Sequence, residues 1–246
     1  MLQVRGAEAA PHGPRGPCPS LTGLGDRAHV MSADIDLDTH IRDIVQLIAF
    51  EDLTRVILVG HSYGGMVITG VADRVPERIG HRVYLDAAYP TDGESLHDHA
   101  HEAIEGARRG LHEVDGVPLV MAPHAGMAAF FGVTDPELGA WTDARLTAHP
   151  WKCFEQKLTL RNEAAMRATP ESHLICTSTI PGRAMEQLHT RAGTGMGHRH
   201  RSRPHVDRTG LGGGQAGSYR FTLEAIRPNG GKAADLVDRR TGFRRS

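Results

Sequence analysis

Cysteine is scarce in this chain. Cys18, Cys153 and Cys176 are the only three among 246 residues, and they stand far apart. An odd, dispersed set fits neither a disulfide framework nor a zinc knuckle, so a reducing compartment is expected. Aromatic residues make up only 5% of the chain and are not interleaved with the basic ones, as a nucleic-acid surface would need. No apolar run approaches the roughly 20 residues that cross a bilayer. Met1–Pro19 is rich in Ala, Gly and Pro and lacks the apolar segment of a secretion signal. A cytoplasmic protein is expected, with no membrane and no nucleic-acid partner.

Residues 1–190 are poor in positive charge, with 16 Lys and Arg against 25 Asp and Glu. Residues 191–246 reverse this, with 12 against 4, and hold 11 glycines. The near-zero total charge of −1 therefore hides an acidic body joined to a basic, glycine-rich tail. Three stretches follow: an irregular or aberrant N-terminus over 1–20, a globular domain over 21–192, and a poorly ordered tail over 193–246.

Within the body, Asp38–Phe50 places Ile41, Ile44, Val45 and Ile48 at helical spacing. Arg55–Val59 is a short run rich in β-branched residues, expected as a strand buried on both faces. Met66–Arg74 resumes a helical pattern and stops before Pro76. Arg82–Leu85 and His173–Thr177 are further strand candidates, and Ala184–Arg191 a short helix. Strands alternating with helices indicate an α/β fold with a mostly parallel sheet flanked by helices. The stretch from about 92 to 170 is expected to form a helical cap, with Phe130, Phe131, Trp141 and Trp151 in its core.

The most informative segment is Gly60-His61-Ser62-Tyr63-Gly64, which fits G-x-S-x-G and lies between a predicted strand and a predicted helix. That context suits a nucleophile. Glycines two positions either side let backbones pack closely around a strained turn that exposes the Ser62 hydroxyl. The Tyr63 N–H is then aimed at a developing oxyanion, next to the positive end of the following helix.

Leu21–His29 (LTGLGDRAH), Asp34–Ile44, Val56–Ile79 and Val83–Leu96 (VYLDAAYPTDGESL) together resemble the α/β-hydrolase-fold esterases. The branch is that of plant methyl-ester esterases, hydroxynitrile lyases and similar bacterial esterases. The resemblance implies an α/β-hydrolase-like fold and a serine hydrolase acting on a small-molecule ester through Ser62, a histidine and a carboxylate. Asp86, at the end of a predicted strand, is the best carboxylate and Asp92 the second choice. Tyr63 supplies an oxyanion-hole N–H. No cofactor or metal is implied. A cyanohydrin-cleaving lyase or a non-catalytic binder of small molecules could use the same scaffold. Cyanide release, and ligand binding that survives Ser62→Ala, would distinguish them.

Two departures from the family pattern stand out. Its opening strand, which ends in a His-Gly pair and supplies a second oxyanion donor, has no counterpart in Met1–Ser20; truncation there is expected. Losing one such donor costs on the order of 100-fold in rate. The family's C-terminal Thr-Gly-His-Asp motif is also missing. Gly197–Gly213 can, however, be back-translated so that the next frame reads Ala-Ile-Asp-Thr-Gly-His-Asp-Leu-Met. A shifted reading frame near Gly193–Met196 would explain both the lost motif and the basic tail. His198, His200 and His205 are weak substitutes for the missing base, and Arg199, Arg201 and Arg203 a weak nucleic-acid patch. His97, His99 and His101, with Asp98 and Glu102, have metal-ligating chemistry but read as a solvated entrance to the cap. Gly193, Gly195 and Gly197 lack the preceding strand and following lysine of a phosphate loop.

Overall fold

The computed structural model describes residues 17–176, together with the backbone of two further strands at 2–5 and 221–224. Helix α1 (Leu37–Phe50) begins one residue before the sequence pattern suggests, because Asp36 caps it. The Asp36 carboxylate accepts the Thr39 N–H at 2.8 Å, and the Thr39 hydroxyl faces the Asp36 N–H in return. Leu37, Ile41, Ile44 and Ile48 form its buried stripe. Helix α2 (Gly64–Arg74) packs across it so closely that a Cβ on Gly70 would lie 2.3 Å from the Ile41 Cδ1.

The central sheet has five strands in the spatial order Leu2–Arg5, Val56–His61, Ile79–Leu85, Glu171–Cys176 and Phe221–Glu224. Strands β2 (Val56–His61), β3 (Ile79–Leu85) and β7 (Glu171–Cys176) are parallel neighbours, and β2-α2-β3 is a βαβ unit. The two edges are antiparallel: β1 (Leu2–Arg5) on β2, and β8 (Phe221–Glu224) on β7. Both edge strands lie where the sequence predicts irregular chain. Each is a four-residue apolar-polar alternation, too short to read as a strand alone, set against a sheet edge whose N–H and C=O groups need partners. The predicted helix at Ala184–Arg191 lies outside the described residues.

Strand β2 differs from expectation. Val56, Leu58 and Gly60 are buried, whereas Ile57 is 38% exposed. Helix α2 packs on β2 and β3, and α1 packs on α2.

The stretch expected to form the cap holds short helices α3 (Leu96–His99), α4 (His101–Arg108), α5 (Met127–Phe130), α6 (Pro136–Asp143), α7 (Lys152–Glu155) and α8 (Glu163–Ala168). It also holds a three-stranded antiparallel sheet absent from the sequence reading: β4 (His112–Val114), β5 (Val117–Val120) and β6 (His149–Pro150). Asp115-Gly116, both at positive φ, make the tight β4–β5 turn. Of the four aromatics expected in the cap core, only Trp151 is buried. Phe130, Phe131 and Trp141 are 83%, 48% and 56% exposed, because α5 and α6 form the outer end of the cap. There Arg145 covers Trp141, its guanidinium 4.2 Å from the ring centre.

Candidate active site

Strand β2 delivers the chain into a sharp turn and α2 carries it away. Ser62, exposed at the apex, has φ +52°, a left-handed conformation that costs a non-glycine residue about 1–2 kcal/mol. Its neighbours make the turn possible. A Cβ on Gly60 would lie 2.5 Å from the Gly64 carbonyl oxygen, and one on Gly65 would lie 1.9 Å from the Ala88 carbonyl oxygen. Neither position can carry a side chain. Tyr63 is the N-cap of α2, so its N–H is among those a helix leaves without an internal partner.

Asp86 ends the adjacent strand. His61 on β2 is in register with Leu85 on β3, so Ser62 and Asp86 occupy the same C-terminal edge of the sheet. Asp86 also has positive φ, +44°, and its N–H donates to the Leu174 carbonyl of β7 at 2.7 Å. Two residues on, the Ala88 N–H donates to the Ser62 carbonyl at 3.0 Å. The Asp86 charge reaches His61: enclosure by protein lowers the pKa of that imidazole, and Asp86 opposes the shift. Asp92, the second-choice carboxylate, is engaged in the cap instead, accepting the Leu160 N–H at 2.7 Å.

The Tyr63 side chain points away from the turn into a clamp that sequence reading missed. Its hydroxyl lies 2.9 Å from His40 Nδ1, and His40 Nε2 lies 3.0 Å from the Thr22 carbonyl. A carbonyl only accepts, so His40 carries its proton on Nε2, and its Nδ1 accepts a hydrogen bond donated by the Tyr63 hydroxyl. Burial lowers the His40 pKa, partly offset by the Thr22 contact, and raises that of Tyr63 well above the ordinary phenol. His149 from β6 closes over the Tyr63 ring at 4.8 Å between centroids, and enclosure drives its pKa down to about 3. Burial pushes the neighbouring Cys153 thiol up to about 12.

A second missed feature braces the turn from below. Arg82, fully buried, pairs with Glu171 at 2.7 Å. Arg82 donates to the Tyr84 hydroxyl at 2.8 Å, Tyr84 meets the Thr69 hydroxyl at 2.8 Å, and Thr69 donates to the Gly65 carbonyl at 2.7 Å. This chain of donors ends on the first turn of α2, three residues from Ser62. Burial alone would raise the Glu171 carboxyl; His173, Arg82 and Tyr89 outweigh it and hold the pKa below the ordinary value. The signal was present in the sequence, since Arg82 and Tyr84 alternate onto one face of a strand.

The histidines of the cap entrance are committed to protein contacts. His97 Nε2 meets Glu105 at 2.7 Å, and His99 Nε2 accepts the Tyr89 N–H at 3.3 Å. Among the described residues no three His, Cys, Asp or Glu side chains are grouped to hold a metal ion, and no helix is long and apolar enough to cross a membrane. His198, His200, His205, the neighbouring arginines and the Gly193–Gly197 run lie outside the described residues.

A strained serine between a parallel strand and a helix, with a carboxylate ending the next strand, is the arrangement of a known class. The alpha/beta hydrolase family matches residues 4–225, and the chain belongs to it. Over 78 residues it is 58% identical to a carbendazim hydrolyzing esterase of Nocardioides sp. (strain SG-4G), a match spanning 32% of this chain and 32% of that relative. Among solved structures, an extracellular alpha/beta-hydrolase from a Paenibacillus species shares the fold, with 22% identity and a TM-score of 0.53 over 71% of this chain and 73% of the other. A methylesterase from Arabidopsis is 23% identical with a TM-score of 0.46, over 62% of each chain. The family match sets this chain on the alpha/beta hydrolase scaffold.

Proposed function

We propose that the chain is a serine carboxylic ester hydrolase for small-molecule esters, with Ser62 as nucleophile. The observation that carries this is the left-handed Ser62, exposed at the turn between a parallel strand and a helix. Ser62 Oγ attacks the ester carbonyl while a histidine takes its proton, and the Tyr63 N–H receives the oxyanion. Asp86 orients the histidine and offsets the imidazolium charge. The identity shared with an esterase supports ester cleavage over cyanohydrin cleavage. The buried Cys153 thiol, not half of a disulfide, is in keeping with a cytoplasmic setting.

The general base is the weak member. The histidine motif of the family is missing from this reading frame, and a serine hydroxyl without its base is a poor nucleophile at neutral pH. Turnover by the chain as encoded is therefore near zero. Covalent capture tests the nucleophile directly: a fluorophosphonate label maps to Ser62 and is absent from Ser62→Ala. Label on another residue overturns the assignment.

A further inference from the structure

The small sheet of the cap has two different faces. Leu119 is in register with Pro150 and Val120 with His149, and directly opposed residues point to the same side. Val120 and His149 therefore share one face, the one whose His149 ring lies on Tyr63. Val117 and Leu119 alternate onto the other face, together with Val114, which is in register with Val117. That second face is the one turned away from the Tyr63 ring.

Opposite it runs the segment from Gly23 to Ala33, and between the two lies a cavity of about 670 Å³. Its volume is in the range of small-molecule sites, roughly 300–1,000 Å³. Met31, Val114, Val117, Leu119 and Leu146 give it apolar walls. The walls come from two separately anchored pieces of chain, bridged where the Gly25 N–H donates to the Thr147 hydroxyl at 3.1 Å. Asp115 also lines the cavity. The Asp115-Gly116 turn, with φ +51° and +78°, sets the exposed Asp115 at the end of the apolar wall formed by Val114 and Val117.

We propose that this cavity, on the face of the cap sheet opposite Tyr63 and without Ser62 in its lining, is a second ligand site for a small apolar molecule bearing one protonated amine. The apolar body lies against Val117 and Leu119, and the ammonium group faces Asp115. A neutral isostere keeps the first interaction and loses the second.

The test uses the full chain with 1-naphthylmethylamine and its neutral counterpart 1-naphthylmethanol, titrated calorimetrically and by chemical-shift mapping. The amine is expected to bind saturably and several-fold tighter than the alcohol, with shifts at Met31, Val114 and Asp115. Asp115→Asn removes the preference for the amine while alcohol binding stays. Val114→Arg, at a side chain 48% exposed and so tolerant of change, weakens both probes at least tenfold. No saturable binding, equal binding of amine and alcohol, or full binding in both variants overturns the proposal.

Discussion

The Ala88 N–H donates to the Ser62 carbonyl at 3.0 Å, tying the loop that follows Asp86 to the turn that presents the serine. The same contact brings the Ala88 carbonyl to within 1.9 Å of where a Gly65 side chain would begin. Ser62 and the segment that follows Asp86 are thus held by one backbone junction. Gly65→Ala forces that junction apart, at a cost of about 3 kcal/mol or more. A lowered denaturation midpoint together with loss of Ser62 labelling is expected. Wild-type stability in this variant would show that the junction is looser than its geometry.

The strain at Ser62 is separable from its chemistry. Ser62→Gly and Ser62→Ala both remove the hydroxyl, but only glycine relaxes at φ +52°. Ser62→Gly is expected to be more stable than Ser62→Ala by about 1 kcal/mol in urea titrations. Equal stability would mean that the left-handed turn costs nothing.

Arg82 and Glu171 form an ion pair inside the sheet core, and removing one partner strands the other. Arg82→Met is expected to lose about 3–5 kcal/mol. Arg82→Met combined with Glu171→Leu should recover much of that loss, as a thermal or urea denaturation series would show. A double variant worse than the single one would place the cost in packing instead of charge.

Stability also carries a pH signature. His149 is held neutral with its pKa near 3, and His40 is lowered as well, whereas in the unfolded chain both titrate near 6.5. Above that value neither state binds the extra protons. As the pH falls below it the unfolded chain gains them first, so stability drops, for His149 by up to about 1.4 kcal/mol per pH unit until its folded pKa near 3 is reached. His149→Phe, which keeps the contacts with Tyr63 and Phe154 aromatic, should flatten the fall between pH 6.5 and 5. An unchanged slope would remove His149 as its source.

The turn that presents Ser62 was legible in the sequence. Gly60, Ser62, Gly64 and Gly65 encode it because local sterics leave few alternatives, and the β-branched run at 55–59 and the short run at 82–85 mark their strands by composition. The clamp on Tyr63 was not legible. His40, His149 and Cys153 come from α1, β6 and α7, and only folding brings them together. The cap sheet was missed because its strands are two to four residues long, below the length at which alternation stands out. The exposure of Phe130 and Trp141 shows the opposite failure, where residue type suggests a core that the fold does not build.

The shifted-frame reading of Gly197–Gly213 has its own check in the gene. Codons for these residues are expected to encode Thr-Gly-His-Asp-Leu-Met in the next frame. Codons that forbid it would return the tail to the protein proper and its histidines to consideration.

The most direct measurement is the rate and position of fluorophosphonate labelling on the full chain, with and without added imidazole, read by peptide mapping. A serine poised for attack but lacking its base predicts slow labelling confined to Ser62, accelerated by imidazole and abolished by Ser62→Ala. Label on any other residue would contradict Ser62 as the nucleophile, and rapid labelling without imidazole would contradict the missing base.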